Sequence, residues 1–165
     1  MSLELRLLSP AADLDLYKTA YNWRPRRKHH LQPDRLPFET FAADDPTHII
    51  IGLFNGDFLA VYFLHEDEPG VFGVHMTSRR NVPRETLLTG AQEVIRCFFE
   101  GGATELIAWI AERNRPLRSF VESLGFVAQK DACQNDTDSS TLPSDAKAFI
   151  DAKAFVKYVI QRSVP

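Results

Sequence analysis

VFGVHMTSRRNVPRETLLTGAQEVIRCFFEGGATELIAWIAERNRPLRSFVESLGF, residues Val71–Phe126, is the stretch that decides the fold. Its opening, Val71–Met76, is a β-branched and aromatic run that reads as a strand. A polar turn, Ser78–Glu85, leads into an amphipathic helix: Leu87, Leu88, Ala91, Val94, Ile95, Phe98 and Phe99 share one face. Glu85, Gln92, Glu93 and Glu100 lie opposite, and Gly101-Gly102 supply the stop. Glu105–Ile110 is a second, buried strand. Joining it to Val71–Met76 through a whole helix requires a parallel, right-handed crossover. Leu117, Phe120, Val121 and Leu124 then mark a short helix, with Gly125 placed for a left-handed cap. This order sets a helix N-terminus, which favours anions, at the end of a strand.

Upstream, Leu3, Leu5 and Leu7 alternate with Glu4 and Arg6, the period of a half-buried strand. Leu14, Leu16, Tyr17, Ala20 and Tyr21 recur at helical spacing and run out into the basic stretch Arg24–His30. Phe38–Phe41 reads as a short second helix. His48–Phe54 and Phe58–Leu64 are strands separated by Asn55-Gly56, a strong hairpin signal. Downstream, Phe126–Lys130 starts another strand, residues 131–145 read as a polar surface loop, and Phe155–Gln161 makes the final strand. DAKAF occurs at Asp145–Phe149 and again at Asp151–Phe155, too short a period for a solenoid; the first copy reads as a helical turn.

A chain of 165 residues fits one domain spanning 1–165. A net charge of -3 gives no general electrostatic case for nucleic acid or anionic membrane. The apolar runs are strand-sized, far below the roughly 20 residues of a membrane helix. With no signal-peptide layout in MSLELRLLSP, cytoplasmic residence is the expectation. Cys97, inside the apolar helix, reads as a buried small hydrophobe, and Cys133 as a free thiol in a polar stretch. The histidines show no metal-ligand spacing, so no metal is expected. Arg24–His30 has little aromatic interleaving beyond Trp23, and nucleic acid is not the expected partner.

The run from Val74 to Phe126 resembles the GNAT superfamily of acetyl-CoA-dependent N-acetyltransferases. That family ends a strand in the pattern V-x-P-x-x-[R/Q]-x-x-G-x-[G/A]-x-x-L-L, and Val74, Arg79 and Leu87-Leu88 match it in register. Its later N-x-x-A-x-x-x-Y-x-x-x-G-F is met by Asn114 and Gly125-Phe126 at the right separation. More narrowly, VHM, NRP and LGF together look like GNAT-type proteins of bacteriophages and prophages. The resemblance implies a mixed α/β (α+β) fold, a mostly antiparallel sheet of about six to seven strands with helices on both faces. It implies acetyl-CoA as co-substrate, a small-molecule or protein amine as acceptor, and allows a homodimer.

Carried over residue by residue, the resemblance assigns the diphosphate to Arg79, Arg80, Asn81, Val82, Arg84 and Glu85, and the cofactor arm to Asn114. Asn114 reads equally well as a helix cap. Three cations at a helix start oppose the dipole unless an anion is present, which favours an anion site. Val82 and Arg84 replace the small residues that let backbone N–H groups approach phosphate, and Pro83 removes a donor. Val121 stands where the family carries a tyrosine that protonates the leaving thiolate. His75, near the end of its strand, is the candidate catalytic base, with Glu112 as a lesser one. Two readings follow: an N-acetyltransferase acting by direct attack of the amine, or a GNAT-fold binding or structural module of phage type that has lost catalysis.

Overall fold

The computed structural model describes residues 2–23, 46–129 and 155–163. In chain order these form β1 (Glu4–Leu7), α1 (Leu14–Trp23), β2 (His48–Asn55), β3 (Asp57–Glu68), β4 (Val71–Ser78), α2 (Arg84–Glu100), β5 (Glu105–Ala111), α3 (Arg115–Ser123), β6 (Val127–Gln129) and β7 (Phe155–Gln161). One seven-stranded sheet has the order β1-β2-β3-β4-β5-β7-β6. Every neighbouring pair is antiparallel except β4 with β5. The crossover through α2 makes that pair parallel, as the sequence requires. The mixed, mostly antiparallel sheet with helices on both faces is therefore the observed architecture.

Strand alternation divides the core by face. Ile51 and Leu53 of β2, Tyr62 and Leu64 of β3, Leu106, Ala108 and Ile110 of β5 and Tyr158 of β7 pack with α2 and α3. Ile50 and Val61 turn to the other face and pack with Leu8 and with Tyr17 and Ala20 of α1. All seven apolar residues of the helix period in α2 join the first cluster. Gly90 lets that helix lie close to the sheet. A Cβ there would sit 2.7 Å from Leu53 Cδ2 and 2.9 Å from the Tyr62 hydroxyl, both on buried side chains.

Several local expectations need correction. β4 runs two residues past Met76, to Ser78, because its pairing with β3 continues to Ala60↔Ser78. Leu7 is 71% exposed, and the next inward residue is Leu8 rather than the alternating partner of Leu5. At the Asn55-Gly56 turn Gly56 alone takes positive φ, and the strands meet at Asn55↔Asp57 after a shift at Leu53/Phe54. This is tighter than a two-residue turn with both central residues left-handed. The ends of both later helices fall as the sequence indicates: Gly101 caps α2 and Gly102 (φ 105) follows with positive φ, and Gly125 (φ 93) takes the left-handed position after α3. Cys97 is exposed: it shares the polar stripe of Glu93, Arg96 and Glu100 and lies 3.9 Å from Glu93. Residues Arg24–His30, Phe38–Phe41, the 131–145 stretch, Cys133 and the first DAKAF copy lie outside the described residues.

No helix among the described residues is long and apolar enough to cross a membrane. Replacing Gly90 with valine overfills the contact between α2 and β3 and should lower unfolding free energy by about 2 kcal/mol. Urea denaturation checks this, and unchanged stability would show that α2 is free to lift from the sheet.

Candidate active site

Backbone hydrogen bonding opens the site. β4 and β5 pair over Val71↔Glu105, Phe72↔Leu106 and Gly73↔Ile107, and there the parallel ladder stops. β4 stays with β3 as far as Ser78, and β5 stays with β7 as far as Ala111↔Phe155. Beyond Gly73 the two strands part, each held by its antiparallel neighbour. A cavity of about 70 Å³ fills the divergence, with Val74, His75 and Met76 on one lip and Ala108, Trp109 and Ile110 on the other.

The lips have two sides. Val74, Met76, Ala108 and Ile110 face α2 and α3. Continuing the register from Gly73↔Ile107 puts His75 level with Trp109, and alternation turns both toward the face that carries α1. His75 is exposed and lies across from its strand partner Phe63, ring centroids 6.2 Å apart. Trp109 is 47% exposed, a large indole left half in solvent beside the gap. Sequence reading treated Trp109 as ordinary strand material. The signal available was its parity, which sets it on the face opposite Ala108 and Ile110.

The anion-binding residues expected at the start of α2 are not gathered into one cluster. Arg79 donates its backbone N–H to Leu59 O at 2.8 Å and pairs with Asp57 at 3.4 Å. Arg84 reaches away to α3, where Nη2 donates to Ser119 O (3.1 Å), Ser119 Oγ (3.3 Å) and Ser123 Oγ (2.9 Å). Arg80 is exposed and makes no side-chain hydrogen bond or ion pair among the described residues. Asn81 takes φ 64, a left-handed conformation that asparagine tolerates better than most residues. The Val82 side chain packs against the core, so its bulk is turned inward.

Pro83 caps α2 without any side-chain hydrogen bond, and the first helical bond closes from Leu87 N to Pro83 O at 3.2 Å. The N–H groups of Arg84, Glu85 and Thr86 thus have no intrahelical acceptor, and their positive dipole end faces the turn. These donors, with Arg80, suit a phosphate group.

Asn114 is a cap: Oδ1 accepts from Leu117 N at 3.3 Å, and Pro116 sits in the first turn of α3. Glu112 presents its carbonyl to Arg118 at 3.1 Å. Arg118 Nε also donates to the Tyr158 hydroxyl (2.8 Å), which donates in turn to Glu122 (2.8 Å). The hydrogen bond from Arg118 to Tyr158 is the main cause of a raised guanidinium pKa, with Glu122 and Glu112 adding to it. This chain of bonds fixes α3 to β7. Val121 is buried and lines the cavity, so no hydroxyl stands at that position. Tyr62 also lines it, with its hydroxyl donating to Leu87 O at 3.3 Å and its pKa raised by burial.

A larger open groove of about 1010 Å³ lies between α2, β6 and β7, lined by Ile95, Phe99, Val127 and Val159 among others. It is lined by none of the candidate site residues singled out in the sequence, whereas the smaller cavity at the strand divergence is lined by His75.

The architecture is a GNAT-like α/β fold: a seven-stranded mixed sheet with one parallel, divergent pair and a helix starting beside it. No protein-family model matches the chain, and no curated protein sequence matches it. Solved structures do. A protein of Acinetobacter baylyi ADP1 named a putative acetyltransferase superimposes with TM-score 0.73 at 13% identity, covering 99% of this chain and 95% of that one. The ribosomal-protein-S18-alanine N-acetyltransferase of Escherichia coli gives 0.69 at 15% identity, covering 99% and 96%. A Bacillus subtilis acetyltransferase in complex with CoA gives 0.66 at 12% identity, covering 98% and 100%. At such identities the likeness establishes the fold.

Removing the α3 cap with Asn114→Ala should cost about 1 kcal/mol of stability, with Asn114→Asp recovering most of it. Thermal and urea unfolding of the two variants measure this. An alanine variant as stable as the parent would remove Asn114 from the capping role.

Proposed function

We propose that the protein is an N-acyltransferase that moves an acyl group, acetyl in the simplest case, from an acyl-CoA to a primary amine on a small molecule or a protein. One observation carries the reading: the divergence of β4 from β5 lies at the end of the strand that feeds the open N-terminus of α2. A thioester in the gap and a phosphate at the helix start are thereby offered to one extended donor. The same fold carries bound CoA in the Bacillus subtilis structure.

In this reading Arg80 and the free N–H groups of Arg84, Glu85 and Thr86 hold the diphosphate through charge and the helix dipole. Asn81 shapes the turn, and Val82 anchors it to the core. Arg79 supports the strand end through Asp57. Arg84 leaves its serine partners if it is to meet phosphate, while Asn114 contributes by fixing the start of α3 beside the gap.

The amine approaches from the α1 face, where His75 and Trp109 stand. Its neutral nitrogen attacks the thioester carbonyl carbon, a C–N bond forms and the C–S bond breaks. His75 takes the proton lost by the nitrogen, directly or through a water. Polar backbone groups exposed where the strands part are placed to stabilise the oxyanion. Val121 offers no proton to the departing thiolate, and the Tyr62 hydroxyl is held on Leu87 O. Solvent supplies that proton, a small demand because a thiol titrates near 8.5.

Calorimetric titration with CoA and acetyl-CoA tests the reading: saturable binding is expected, and no heat at millimolar ligand would sink it. Arg80→Ala should weaken CoA binding about tenfold, more at low salt than at high. With an active amine found by screening, His75→Ala should lower kcat by about 10²-fold while leaving CoA affinity unchanged. An unchanged kcat in the variant would take the base role from His75.

A further inference from the structure

The cavity extends well past the point where the carbonyl carbon would react. From the lips it continues on the α2 and α3 side of the sheet, among Leu64, Val94, Leu106, Phe120, Val121 and Phe126. Small side chains at Ala91, Ala108 and Val121 leave this space open. Its lining has three side chains with polar atoms, Tyr62, His75 and Trp109; the hydroxyl of the first is already bonded to Leu87 O, and the other two sit at the α1-side lip. Among the described residues no carboxylate, lysine or arginine lines it.

We infer that this cavity is an acyl pocket, and that the protein prefers a donor carrying a straight aliphatic chain longer than acetyl. The inference rests on the acyltransferase reading and specifies its donor. Three features decide for the acyl chain over other occupants. An apolar cavity of this kind does not hold water, so the space is either vacant or filled by apolar atoms. Its deep part lies on the α2 side, where the phosphate-binding helix start also lies, whereas the acceptor amine belongs to the face of His75 and Trp109. A cationic amine, moreover, finds no counter-charge in the lining.

Size sets the chain length. A single water needs roughly 10–15 Å³ on the scale that gives this cavity, so about 70 Å³ holds roughly five to seven such groups, and with the carbonyl counted among them the chain beyond it is roughly three to five carbons. The chemistry is unchanged by the longer chain: the amine nitrogen forms the bond to the carbonyl carbon, the C–S bond breaks, and CoA leaves as the thiolate. The extra methylenes remain in the pocket beside Val121 and Phe120.

Titration with CoA, acetyl-CoA, butyryl-CoA and hexanoyl-CoA, without any amine, reads the pocket directly. Each buried methylene is worth about fourfold in affinity, so butyryl-CoA, with two more than acetyl-CoA, should bind roughly fifteenfold tighter. Val121→Phe and Ala91→Leu, which fill the space from two helices, should keep CoA and acetyl-CoA affinity and lose the gain for butyryl-CoA. If neither variant folds, the wild-type series decides alone. Binding of CoA and acetyl-CoA with no gain for longer chains overturns the acyl pocket and leaves the acyltransferase reading standing. A gain that survives both filling variants also overturns it. Failure of every CoA species to bind overturns both.

Discussion

The parallel ladder between β4 and β5 is three residue pairs long, and the rest of the site depends on its shortness. Each strand has an antiparallel neighbour that it keeps throughout its length: β3 for β4 and β7 for β5. Closing the divergence would need hydrogen bonds broken on one of those outer ladders. The gap is therefore a property of the whole sheet. The backbone groups left facing it and the cavity behind it follow from the same competition.

The second constraint is the entry into α2. Gly90 brings the helix down onto Leu53 and Tyr62, and the seven apolar residues on one face hold it there. With the helix pinned, its first N–H groups cannot turn away from the end of β4. Asn81 and Val82 replace the flexibility of glycine by two different means, a left-handed backbone and a side chain tucked inward. A turn without glycine can thus still present donors.

Most of the fold was legible in the sequence, because periodicity is set by backbone geometry and read directly from apolar spacing. The helical face of α2, the Gly125 cap and the final strand Phe155–Gln161 all fall where spacing puts them. The position of β7 between β5 and β6 was not legible, since strand order depends on pairing between distant segments. Cys97 was misread because its flank of the helix is polar in three dimensions while its sequence neighbours are aromatic.

The site was legible in part. The sequence singles out His75 as a candidate but not Trp109, since the pairing register across the gap is needed to bring them level. The three arginines look alike in sequence. Their partners, Asp57 for Arg79 and the α3 serines for Arg84, are supplied by elements far away in the chain. Composition could not show that, of the three, Arg80 is the one whose guanidinium meets no partner among the described residues. Val121, read as a lost hydroxyl, acquires a different meaning once it is seen lining a cavity. The account stands most directly on where CoA binds, and backbone amide NMR shifts during a CoA titration report that. It predicts changes at Val74–Met76, Ala108–Ile110 and Arg80–Thr86; changes confined to the groove of Phe99, Val127 and Val159, or none at all, would contradict it.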